Sequence, residues 1–366
     1  MKLTAAIATF AFLAAIVNGS PMMRQAADGA KHGQQQQQQG QEQQVEGSQQ
    51  QQQQKDEGSQ QQQQQHTVTV GPLTVPAGVT LDLSGAKNGA TIEFTGTTTF
   101  GTQKWNGPLV MLSGTELIVK GDGTLDGQGP WYWKQGQATT RPVFFQVHKV
   151  THSTLSGFTV KDSPYRTGLT LDSKAGNGVA TNTDGFDLSC NDHITITGNT
   201  IYNQDDCLAM QSSTNTIFSK NYCYNSHGIS IGSLGGNTVD KTTTVQGLTA
   251  EGNHIIDSDN GLRIKTIIGL KGLVTDVKFI DNDLSNVKNG VVVRADYSKQ
   301  QGGYTGAPTS QAQITGVTVS GLTGTATNLY DIKVNPNVVS DWTFSGIQVD
   351  ASVKGTINGA PDSISA

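Results

Sequence analysis

Short runs in which apolar and polar residues alternate recur along the chain, at His193–Thr197, Thr216–Ser219, Val274–Ile280 and Ile314–Val319. Each is rich in β-branched residues and bounded by Gly, Asn or Asp. A period of two between turn residues predicts strands. After the N-terminus no apolar stripe of helical period persists for a useful length. The strands also repeat. Asn199, Asn221, Asn253 and Asn282 open the same polar–apolar unit, at separations of 22, 32 and 29 residues. Repeats of that length predict a solenoid whose stacked coils bury one continuous core. The expected fold class is therefore all-β, a right-handed parallel β-helix, with the hand assigned by analogy. Asn at a fixed coil position predicts a ladder of stacked side-chain amides.

The same ruler aligns the chemistry. Asp205 lies six residues after Asn199 and His227 six after Asn221, so the histidine is expected one rung above the aspartate. Ala209, Ile231, Arg263 and Val292 each fall ten residues after their ruler Asn. Lys265, two residues beyond Arg263, leaves the strand on the same face. Asp184, the Asp205-Asp206 pair, His227 and Arg263-Ile264-Lys265 are thus expected to share one face.

Composition divides the chain into three parts. Residues 1–19 have the form of a secretory signal: Lys2, an apolar run from Leu3 to Val17, and Val17-Asn18-Gly19 as a small-residue cleavage site. Residues 20–66 are dominated by glutamine and hold too few apolar side chains to fold, so they read as a disordered pro-segment or spacer. Residues 67–366 form the expected β-helix domain. No later stretch is long and apolar enough to cross a bilayer. A secreted, extracellular monomer is expected.

Of three cysteines, Cys207 follows the Asp pair and Cys223 opens the next rung, so the two are expected to form a disulfide tying the Asp pair to His227. Cys190 is left over, expected as a buried thiol in the stack. No Cys/His cluster has metal-ligand spacing, and no glycine-rich loop lies between strand and helix to hold phosphate. Neither metal nor cofactor is expected. The net charge of −5 does not favour nucleic acid, and an anionic substrate would need a local basic patch.

Four stretches, Asn182-Thr183-Asp184-Gly185-Phe186-Asp187, Asn203-Gln204-Asp205-Asp206-Cys207, Ser226-His227-Gly228-Ile229-Ser230-Ile231-Gly232-Ser233 and Arg263-Ile264-Lys265-Thr266, resemble in this order the motifs of fungal polygalacturonases, glycoside hydrolase family 28. The resemblance covers nearly all of 68–345. It implies metal-free, inverting hydrolysis of the α-1,4-galacturonosyl links of pectin, with endo action as the further expectation. It also implies Asp205 as general acid, Asp184 with Asp206 positioning the water, and His227 tuning the acid. Arg263, Lys265, Tyr297 and Asn182 would then bind the sugar. The residues agree with this. Inverting glycosidases need one protonated carboxyl and one ionised carboxylate, and crowded aspartates push each other's pKa values apart. Arg263 suits a uronate carboxylate in bidentate fashion. Asp187 is expected to be structural.

Two rival readings are a Ca²⁺-dependent pectate lyase, with the three aspartates as ligands, and a weakly active or inactive pectin-binding solenoid. The His-Gly and Arg-x-Lys motifs argue against the first, and the aligned acids against the second. Two departures from the family pattern stand out: Tyr224-Asn225-Ser226 before His227, and no cysteine from Asp331 to Ala366. Gly168–Leu171 and Gly185–Leu188 look like one strand on successive rungs, yet they stand closer together in sequence than Asp184 and Asp206 do, barely far enough apart to encircle a coil. An incomplete coil, with a loop across one sheet at 172–181, is therefore expected before Asp184.

Overall fold

A computed structural model describes residues 66–136, 138–166, 171–172 and 179–364, with the backbone alone described at 171–172. The expected signal segment (1–19) and all but the last residue of the Gln-rich segment (20–66) lie outside the described residues.

The chain winds through three sheets in a fixed order. One coil runs Thr91–Phe94, Thr97–Phe100, Val110–Thr115, and the next runs Ile118–Gly121, Thr124–Asp126, Phe145–Thr151. Each strand of the first of these coils pairs in parallel with its counterpart in the next: Ile92 with Val119, Thr98 with Leu125, Val110 with Phe145. Further along, strands merge across corners. In Phe186–Thr197 and Leu208–Ser219 the first half (Phe186 with Leu208) belongs to the third sheet and the second half (Ile196 with Phe218) to the first. The fold is a right-handed parallel β-helix, with the hand that parallel crossovers adopt. Its interior is one column of apolar side chains, from Ile92 and Phe94 through Phe186, Phe218 and Ile255 to Val319 and Trp342.

Residues that tolerate positive φ shape the corners. His193, Asn215, Gly247, Asp276, Gly316 and Asp341 form one column, and Gly198, Lys220, Gly252, Asp281, Gly321 and Gly346 the next, all in the left-handed region. Gly, Asn and Asp dominate because they reach that region at least cost. Directly after the second corner comes the asparagine ladder. Asn199 donates from N and Nδ2 to Asn221 Oδ1 at 3.0 and 2.9 Å. Asn221 does the same to Asn253 at 3.0 and 3.1 Å, and Asn253 to Asn282 at 3.1 and 2.9 Å. All four are buried. The ruler read from sequence is a physical hydrogen-bond chain.

Asn221→Ala should take the acceptor from the Asn199 N–H groups and the donor from Ile196 O. Buried groups left unpaired cost about 1–3 kcal/mol each, so roughly 3 kcal/mol of stability should be lost. Urea unfolding measures this. A midpoint shift no larger than that of the exposed Asn88→Ala would show that the ladder adds nothing.

Three expectations need correction. Ala209 pairs with Ser230 rather than Ile231, and Ser230 with Arg263, Arg263 with Val292. The turn between Asn221 and that strand is one residue shorter than in neighbouring coils, so Ile231 enters the core and Ser230 faces outward. Leu171 pairs with Val160, on the strand just before it, and Asp172 with Tyr202, on the far side of Asp184. That strand therefore belongs to the second sheet and is not the counterpart of Gly185–Leu188. The short step lies upstream of Leu171, and most of the loop expected at 172–181 falls outside the described residues. Cys190 is exposed, because the register breaks between Leu188 and Asn191 and turns its side chain outward.

Candidate active site

Asp184, Asp205, Asp206 and His227 stand on the loops that lead into the third sheet, just before Phe186, Leu208 and Ile229. Buried polar groups fix these loops. Asn203 Nδ2 donates to the carbonyls of both Asp205 and Asp206 at 2.9 Å. Thr183 Oγ1 donates to Ala180 O at 2.7 Å and accepts from Gln204 N–H at 3.0 Å. Backbone bonds stack one loop on the next: Gly185 N–H on Asp206 O at 2.9 Å, His227 N–H on Asp205 O at 2.7 Å. Gly228, at φ +87°, lets the next rung approach so closely that a Cβ there would overlap the Asn260 carbonyl. The disulfide Cys207–Cys223, with Cα atoms 5.8 Å apart, lies directly behind Asp206 as expected.

Two charged clusters result. In the first, His227 Nδ1 lies 3.1 Å from Asp205 Oδ1, and Asp205 also accepts from Asp206 N–H at 2.8 Å and Asn182 Nδ2 at 3.2 Å. Burial works against the Asp205 carboxylate. The hydrogen bond and charge of His227 outweigh it, with Lys265 behind them, and hold the pKa down to about 2. Burial also opposes charge on His227, yet Asp205 raises its pKa above the usual imidazole value. Both directions favour the proton on the imidazole side of the pair, beside the Asp205 that the sequence reading expects as general acid.

In the second cluster Asp206 Oδ1 accepts from Ser230 Oγ at 2.7 Å and from the Arg263 guanidinium, while Oδ2 accepts from Lys265 Nζ at 3.1 Å. Arg263 Nε donates to Ser230 Oγ at 2.9 Å. The Arg263 and Asp206 side chains are only 10% and 3% exposed. Arg263, expected to bind the sugar, lines the cleft and is at the same time a clamp on Asp206. Asp184 lies one rung earlier and is 5% exposed, with Oδ1 buried and without a partner. Burial, then the like charges of Asp187, Asp205 and Asp206, push its pKa well above the carboxylate range. Asp187, expected to be structural, aligns with Ala209, and burial lifts its pKa to about 6.

Above these groups lies an open cleft of about 800 Å³, within the usual size of ligand sites. Tyr297 lines it, with Lys265 Nζ 5.7 Å from its ring centroid. Tyr304, on the antiparallel return strand Gly303–Tyr304, meets Tyr297 edge-on at 6.0 Å and packs over the Arg294 guanidinium at 4.3 Å. One oxygen each of Asp205 and Asp206 and a His227 nitrogen lie within 4.8 Å of one another, a set able in principle to hold a cation. Arg263 and Lys265 already neutralise Asp206, and His227 is engaged with Asp205, so a metal would have to displace protein cations.

Residues 65–365 match the family model described as "Glycosyl hydrolases family 28". The chain belongs to that family. It is 39% identical over 305 residues, 77% of this chain and 82% of the relative, to a protein named probable endopolygalacturonase A of Aspergillus parasiticus. To the polygalacturonase of Saccharomyces cerevisiae it is 38% identical over 302 residues, again 77% and 82%. Among solved structures, endopolygalacturonase I of Stereum purpureum, complexed with two galacturonates, is 26% identical with a TM-score of 0.53, covering 80% of this chain and 95% of that one. The endo-xylogalacturonan hydrolase of Aspergillus tubingensis, 21% identical with a TM-score of 0.70 over 82% and 90% of the two chains, shares the fold. This family 28 chain brings all four motifs to one cleft. Ser230, Asn203, Asp187 and Tyr304 are the contributors that sequence reading missed. The first three sit inside quoted motifs and follow from strand register, whereas nothing periodic marks Tyr304.

Proposed function

We propose that the protein is a secreted, monomeric endo-polygalacturonase that hydrolyses the α-1,4-galacturonosyl linkages of pectin with inversion. The observation that carries this reading is that Asp184, Asp205, Asp206 and His227 line one cleft, with His227 hydrogen-bonded to Asp205 and Asp206 clamped by Arg263 and Lys265. The His227 proton passes to Asp205 and from Asp205 to the glycosidic oxygen, so the pair delivers one proton in all. As the bond to the leaving sugar breaks, a water attacks the anomeric carbon from the opposite face. Its proton passes to the Asp206 carboxylate, while the Asp184 carboxyl orients the water. Lys265 and Tyr297 meet the sugar, and Asn182 holds Asp205. The lyase reading fits less well, because the Asp206 clamp leaves its carboxylate poorly suited to Ca²⁺.

Purified protein with EDTA on de-esterified polygalacturonate tests this. Reducing ends should rise without ultraviolet-absorbing unsaturated product, and early products should be mid-length fragments. Activity should hold at acid pH and fall as pH rises through the raised His227 value, where the donor pair loses its single proton. Unsaturated ends that vanish with EDTA would establish the lyase, and no product at all would leave a binding solenoid.

A further inference from the structure

Arg166 belongs to no motif, and nothing in the proposed mechanism uses it. Phe144 N–H donates to its carbonyl at 3.0 Å, which seats Arg166 at the edge where the chain enters the third sheet, on the Asp184 side of the cleft. Its side chain lines the cleft. The guanidinium packs 5.4 Å from the centroid of the Tyr165 ring, and Arg141 packs against the same ring at 4.8 Å. Arg141 is buried and pinned by the carbonyls of Pro164 and Thr181, at 3.3 and 2.7 Å. Arg166 is thus held by a fixed aromatic platform. Asp187, Asp184 and Asp205 act on it through their charge, yet among the described residues none of them forms an ion pair with it, and its Nε is buried without a hydrogen-bond partner.

An arginine held in place beside an acid cluster, but paired with none of it, has no side-chain acceptor among the described residues. On the Arg263 side of the cleft Arg263 and Lys265 both bind Asp206, and Lys299 lines the cleft beyond them. We infer that Arg166 binds the carboxylate of a galacturonosyl unit on the Asp184 side of the scissile bond, and thereby selects de-esterified substrate at that position. A planar guanidinium stacked on a ring presents two parallel N–H donors, which match a carboxylate and not a methyl ester. The inference rests on the polygalacturonase reading above.

The test compares wild type, Arg166→Ala and Arg166→Lys on fully de-esterified polygalacturonate, on highly methyl-esterified pectin, and on a galacturonate hexamer whose cleaved bond is read by mass spectrometry. Arg166→Ala should raise KM on the de-esterified polymer by about 10–100-fold, the value of a charge-assisted bidentate pair, while kcat moves far less. The penalty should shrink on the esterified polymer, the hexamer should be cut at a shifted bond, and Arg166→Lys should recover part of the loss. Equal losses on both polymers, carried by kcat with a displaced pH profile, would overturn the inference and make Arg166 a counter-ion of Asp184 and Asp187. An unchanged KM would also overturn it. If Arg166→Ala does not fold, Arg166→Lys on the two polymers decides alone. A wild-type protein that releases no reducing ends fails the polygalacturonase reading instead.

Discussion

Asp205→Asn is expected to lower kcat on polygalacturonate by about 10²–10⁴-fold, the usual loss when a positioned proton donor is removed. The side chain keeps its shape, and its oxygen can still accept from Asp206 N–H and His227. Substrate binding should therefore survive, and the defect should sit in kcat. A second readout follows from the pairing. Burial is the largest influence on His227 and acts against its charge; the Asp205 carboxylate reverses it. With an amide at 205, the imidazole pKa should fall, which NMR titration of His227 can follow. Activity within a few-fold of wild type would remove Asp205 from the chemistry.

Arg263→Ala should be nearly as damaging, for a different reason. The sequence reading expects this arginine to grip a uronate, so that its loss raises KM most on de-esterified pectin. In the structure it lines the cleft and is also packed against Asp206 and Ser230. Breaking a buried pair costs about 3–5 kcal/mol, and Lys265, which still reaches Asp206, should keep the loss near the lower end. Expected results are a lower unfolding midpoint and a kcat reduced by about 10²-fold or more, as misplacement of a reacting group by ~1 Å produces. De-esterified and esterified substrates should suffer alike. Arg263→Lys should restore little, since the shorter, compact ammonium lacks the planar fork that meets Ser230 through Nε and Asp206 through a terminal nitrogen. A variant of normal stability whose only defect is KM on de-esterified polymer would return Arg263 to substrate binding.

Much of this site was legible because a solenoid converts sequence spacing into position. The asparagine intervals placed His227 over Asp205, and the cysteine spacing placed the disulfide behind them. Errors arose where a turn changed length. One residue fewer after Asn221 exchanged Ile231 for Ser230, and with it an apolar neighbour of Arg263 for a hydrogen-bond partner. Cys190 followed a bulge that alternation cannot foresee. Spacing also says nothing about which acceptor a cation prefers, so the capture of Arg263 by Asp206 became visible only once burial was known. Tyr304 and Arg166 come from segments outside the repeat, where no ruler applies.

Asp184, the Asp205–Asp206 pair, His227 and the Arg-x-Lys strand come from four consecutive coils. The distances between reacting groups are therefore set by the spacing of stacked strands, about 4.8 Å, before any side chain adjusts. Insertions and deletions then fall into two kinds. Loops can lengthen freely, as the unequal asparagine steps of 22, 32 and 29 residues already do. Adding or dropping a whole coil anywhere from Asp184 to Lys265 would displace one reacting group from the rest by a full strand spacing, so in that stretch the number of coils, and not the number of residues, is what lineage change must preserve.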